Sequence, residues 1–107
     1  MPVTADEARL LALDLPEAVE QDHHGKPSFR VGGKIFATLW DEEHMNVMLD
    51  EGGILMAIQE HPDACSEVMW GKRLAAVRVH LPDVRPEVLG KMLEEAWELR
   101  ANRRREP

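Results

Sequence analysis

Hydrophobic positions along this chain follow two periods, one near 3.6 residues and one of 2, and the changeovers mark the elements. Thr4-Ala5-Asp6-Glu7 is a capping-box pattern, followed by Ala8, Leu11, Ala12 and Leu15 at helical spacing. Pro16 pushes Leu15 out of the α region, so the first helix is predicted over about residues 4–14. Val19 to His24 then reads as a short strand. Ser28 to Val31 and Lys34 to Trp40 form a hairpin around Gly32-Gly33, a pair suited to the positive φ angles of a tight turn. Regular alternation puts Ile35, Ala37 and Leu39 on one face of the second run and Phe36, Thr38 and Trp40 on the other. Asp41-Glu42-Glu43 is a polar turn. His44 to Leu49 alternates again, with Met45, Val47 and Leu49 together.

Gly52-Gly53 interrupts the strand pattern, and Ile54 to Gln59 predicts a short helix that stops before Pro62. Glu67 to Trp70 and Leu74 to Leu81 predict a second hairpin around Gly71-Lys72-Arg73, with Val77, Val79 and Leu81 facing one way and Arg78 and His80 the other. Asp83 to Glu87 starts a last helix, with Pro86 in its first turn and acid at the positive dipole end. Leu89, Met92, Leu93, Ala96 and Trp97 trace its apolar stripe. The order predicts an α+β fold: a two-layer antiparallel sheet with helices on one face, two projecting β-hairpins and a long C-terminal helix.

Composition narrows the class. The 107 residues suit one domain, and 44% hydrophobic with 31% charged residues is ordinary for a soluble globular protein. Cys65 is the only cysteine, which excludes an intramolecular disulfide. No apolar run is long enough to span a membrane and no signal-peptide pattern is present, so a cytoplasmic, non-membrane protein is expected. The net charge of -7 argues against strong non-specific nucleic-acid binding but leaves room for a local basic face.

Two segments supply such basic clusters. Gly25 to Trp40 contains Lys26, Arg30 and Lys34 without a carboxylate, and Gly71 to Pro82 contains Lys72, Arg73 and Arg78, again without one. They read either as anion-binding elements or as solvated strand faces whose charges blunt edge pairing. No Asn or Gln accompanies these cations for bidentate contact with adenine, although Arg30 or Arg78 could face guanine.

The remaining chemistry is sparse. His23 and His24, adjacent on a regular strand, point to opposite faces, and no metal-ligand spacing occurs elsewhere, so no metal site or cofactor is expected. Cys65 has no base placed beside it, and no nucleophile–base pair can be assembled, so no catalytic residues are assigned. Trp40 and Trp70 each end a strand, where an aromatic side chain stacks on a base, lines a small pocket or packs at the core rim. Arg100, Arg103, Arg104 and Arg105 complement the last helix dipole, contact nucleic acid, or belong to a disordered end over about residues 102–107.

Taken together, Leu15-Pro16-Glu17, Gly25-Lys26-Pro27, Phe29 to Ala37, Val77 to Leu81 and Leu89 to Ala101 make the chain resemble the MmcQ/YjbR family of small bacterial proteins. Glu60 to Val68 departs from that pattern. The resemblance implies an α+β fold with a "double wing" of two β-hairpins, no catalytic motif, and the DNA-binding label many members carry. The expectation is therefore a monomeric, non-enzymatic protein. It would bind DNA weakly and salt-dependently through Lys26, Arg30, Lys34, Lys72, Arg73 and Arg78. The alternatives are a protein-interaction module and a small-ligand binder with a pocket near Trp40, Trp70 and His44.

Overall fold

A computed structural model describes residues 3–102 of the chain. Arg103, Arg104 and Arg105 lie outside the described residues. The elements are α1 (Ala5–Leu13), β1 (Val19–His23), β2 (Lys26–Val31), β3 (Lys34–Asp41), β4 (His44–Val47), α2 (Glu51–Glu60), β5 (Cys65–Trp70), β6 (Arg73–His80), a 3-10 turn (Leu81–Asp83) and α3 (Pro86–Asn102). The six strands form one antiparallel sheet in the order β1-β2-β3-β4-β6-β5. Both predicted hairpins form inside this one sheet, with β4 between them. No described helix is long and apolar enough to cross a membrane.

The helices cover one face. α3 packs on β2, β3 and β4, α1 packs on α3 and β3, and α2 packs on β5 and β6. The core between the layers holds Phe29, Phe36, Met45, Val47, Ile54, Val77, Val79, Leu89 and Leu93, all fully buried. The apolar stripe of α3 is the one its periodicity predicts. Trp97 stands at its margin and donates its indole N–H to the Pro16 carbonyl at 2.9 Å, which ties α3 to the exit of α1. Arg100 donates from Nε to the Ile35 carbonyl at 3.0 Å, so this cation anchors the helix to β3.

The capping box of α1 is complete: Thr4 Oγ1 accepts from the Glu7 N–H at 3.1 Å, and Glu7 Oε1 accepts from the Thr4 N–H at 2.9 Å. Gly32 and Gly33 take φ of 60° and 80°, the left-handed pair a two-residue hairpin requires. The second helix begins earlier than the sequence pattern predicts. Asp50 caps it by accepting from the Gly53 N–H at 2.8 Å, so Gly52 and Gly53 form its first turn instead of a break. A Cβ on Gly53 would sit 3.1 Å from both Asp50 Oδ1 and Glu95 Oε2, so a side chain there would crowd these carboxylates.

β3 departs from strict alternation twice. Phe29 opposes Ala37 and Arg30 opposes Ile35, which leaves Phe36 as an extra residue. Phe36 and Ala37 are therefore both completely buried, and Ile35 changes sides to join Thr38. The alternation expected for Ile35 and Phe36 is thus reversed by a bulge. A second irregularity lies between Leu39, opposite Met45, and Asp41, opposite His44, with Trp40 between them. The face of the sheet away from the helices is open.

Candidate functional site

One row of residues crosses the open face through all six strands. Gln21 opposes Ser28, Ser28 opposes Thr38, Thr38 opposes Asn46, Asn46 opposes Arg78, and Arg78 opposes Ser66. The row is hydrogen-bonded. Ser28 Oγ donates to the Gln21 carbonyl at 2.8 Å and accepts from Arg30 Nε at 3.3 Å, and Arg78 Nε donates to Asn46 Oδ1 at 3.0 Å. These bonds allow Ser28 and Asn46 to be buried while the cations beside them stay half-exposed.

Above the row stands Trp40. Lys26, from β2, donates from Nζ to the Trp40 carbonyl at 2.8 Å and sits 4.4 Å from the indole centroid. Arg78, from β6, lies 4.7 Å from the same centroid. One exposed indole on β3 thus collects a cation from its own hairpin and one from the second hairpin.

A groove of about 470 Å³ runs over this face from the β1–β2 turn at His23 and His24 to the β5–β6 hairpin at Met69 and Trp70. Trp40, Asn46, Met48 and Arg78 lie along it, and no carboxylate lines it. Glu20, Asp22 and Glu67 oppose Phe29, Pro27 and Val77 in the strand register. Phe29 and Val77 are core residues, so alternation places these acids on the helix side. Glu20 accordingly pairs with Arg9 of α1 at 2.9 Å. Acid approaches the open face at its β3–β4 end. There Asp41 holds His44 Nδ1 at 2.9 Å and Asp83 holds His80 Nδ1 at 2.7 Å. The Glu43 N–H, followed by the His44 ring, lowers the pKa of Asp41.

The six candidate cations divide. Lys26, Arg30 and Arg78 share the open face. Lys34 opposes Val31, a core residue, and so stands on the helix side at the hairpin end. Lys72 and Arg73 border a separate shallow groove with Trp70, Leu74 and Glu51, where Arg73 lies 5.5 Å from the Trp70 indole centroid.

Other expectations change. Asn46, remote in sequence from every cation considered, is the amide that accompanies Arg78; only strand pairing brings it there. Trp40 and Trp70 meet in one groove as lining residues, while His44 is turned to Asp41 and stays out of it. His24 lies past the end of β1 at φ 55°, so its ring meets that of His23 at 4.4 Å instead of pointing away. Among the described residues no group of three His, Cys, Asp or Glu could hold a metal ion. Burial pushes the Cys65 thiol up to about 11.

Comparison with known proteins gives a consistent placement. The YjbR family model matches residues 13–99. The chain is similar in structure to Deinococcus radiodurans protein DR2400, a crystal structure described by its DUF419 domain, with a TM-score of 0.74 at 22% identity. That match covers 92% of this chain and 78% of the other, and it establishes the shared fold. No curated protein matches the chain significantly.

Proposed function

The chain belongs to the YjbR family, and from its open sheet face we propose that it is a nucleic-acid-binding protein and not an enzyme. The observation that carries this reading is the segregation of charge across the sheet. Lys26, Arg30 and Arg78 share the open face, the strand carboxylates Glu20, Asp22 and Glu67 fall on the helix side, and Asp41, at the β3–β4 end of the open face, is engaged by His44. A protein of net charge -7 with a carboxylate-free groove between cations attracts a polyanion locally and repels it elsewhere. Phosphate contacts need placed Lys and Arg, and here each head group is fixed by a hydrogen bond to Trp40, Ser28 or Asn46. Lys72 and Arg73 border the separate groove beyond Trp70 and Lys34 stands on the helix side, so the reading rests on Lys26, Arg30 and Arg78.

Titration of a labelled oligonucleotide by fluorescence anisotropy tests the proposal. Three neutralised phosphates predict a loss of about 20- to 40-fold in affinity between about 50 and 200 mM salt. Replacing Arg78 by Gln should lower the magnitude of the log–log salt slope by about 0.7–0.9. Absence of binding at low ionic strength refutes the reading and leaves the same groove, of a size suited to small ligands, as a ligand pocket.

A further inference from the structure

We infer that the open-face groove receives an unpaired base, so that the ligand is single-stranded nucleic acid and not an intact duplex; this rests on the nucleic-acid reading above. Trp40 is 41% exposed, Met69 46% and Trp70 56%, and all three line the one groove. Phosphate contact with a duplex has no use for an indole on the surface. A paired base shows only its edge, whereas an unpaired base shows a π-face that stacks on an aromatic ring or a guanidinium plane.

The groove offers both surfaces. Trp70 presents an exposed indole at one end. Arg78, stacked on Trp40 at 4.7 Å and oriented through Nε by Asn46, presents a guanidinium near the middle. Asn46, buried on the floor of the groove, holds that guanidinium in place through Oδ1. Lys26 sits beside the same indole and Arg30 along the same face, where the backbone phosphates of the bound strand would run. Charge complementarity thus selects a polyanion, and the exposed aromatics select one whose bases are free.

The test compares a labelled strand of about twelve nucleotides with the duplex of the same length at one low salt concentration, using oligothymidylate and oligouridylate as separate single-stranded arms. The single strand is expected to bind at least about tenfold tighter. Trp70→Ala should weaken it about 5- to 150-fold while leaving duplex binding unchanged. Trp70→Phe should recover most of the loss, which a merely structural role for the indole would not predict. Trp70 is exposed, so folding of these variants is checked by their unchanged melting temperature. Equal or tighter duplex binding, indifferent to Trp70→Ala, overturns the inference and leaves the nucleic-acid reading standing. Failure of every oligonucleotide to bind overturns both.

Discussion

Phe36→Ala and Ile35→Ala, made side by side, test the bulge that organises β3. Regular alternation puts Ile35 inside and Phe36 outside. The observed pairing of Arg30 with Ile35 and Phe29 with Ala37 puts Phe36 completely inside and leaves Ile35 half-buried on the open face. Truncating a fully buried Phe costs about 3–5 kcal/mol through lost transfer energy and the residual cavity. Full burial of an Ile side chain is worth about 1.5–3 kcal/mol, so its half-exposed counterpart here should cost about 1 kcal/mol. Against a total stability of about 5–15 kcal/mol, the first change is severe and the second mild. In thermal unfolding followed by circular dichroism, Phe36→Ala should melt about 12–20 °C lower and Ile35→Ala about 4 °C lower, at about 4 °C per kcal/mol for a domain of this size. Urea midpoints should follow the same order with unchanged slope. A loss for Ile35→Ala equal to or larger than that for Phe36→Ala would mean that the strand alternates regularly and that the bulge is misplaced.

Three further measurements probe other parts of the structure. Gly52→Ala should stabilise the protein by up to about 1 kcal/mol through helix propensity, since its Cβ would come no nearer than 3.9 Å to a neighbouring atom, whereas Gly53→Ala should gain nothing or destabilise because it crowds the Asp50 cap at 3.1 Å; the same gain at both positions would contradict the close approach. Cys65, buried and with its pKa pushed up to about 11, should resist iodoacetamide in the native protein at neutral pH and react on unfolding, as read by intact mass. Asp41 has a folded pKa below its ordinary value, so its contribution is present above about pH 4 and is lost as pH falls through the lowered folded pKa. Asp41→Asn should therefore melt below the parent at pH 7, with the gap closing in more acid solution; a gap that widens in acid would reverse the sign.

Much of the architecture was legible because local signals agreed with the tertiary result. The Thr4–Glu7 box, the Gly32-Gly33 turn and the Leu89 to Trp97 stripe each depend on residues within one or two turns of chain. The misses have specific physical causes. A bulge inserts one residue without a composition signal, so Phe36 and Ile35 exchange faces. Helix capping by Asp50 overrides the low propensity of Gly52 and Gly53, so α2 starts before the glycines instead of after them. The candidate site was half legible. Lys26, Arg30 and Arg78 stand out by sequence, but Asn46 has no signal until β4 is paired with β6, and Lys34 reads as their equal until its register with Val31 is known.

The site depends most on the order of the last two strands. Had the chain continued as a simple meander, β5 would pair with β4 and β6 would form the edge. Arg78 would then stand one strand farther out, about 5 Å from its present track, beyond reach of both Asn46 and the Trp40 indole. Either strand of the second hairpin can in principle dock against β4, so the hairpin pattern alone does not decide. Burial does. A central strand has neighbours on both edges and a helix beneath it, which favours apolar residues; β6 supplies Ala75, Ala76, Val77 and Val79, all buried. β5 supplies Ser66 and Glu67, both exposed, and suits an edge, where a charge also discourages pairing with another chain. The contrast in composition that sends β6 inside therefore also carries Arg78 to the centre of the open face. The demands of the core on one side of β6 fix the position of the cation on the other.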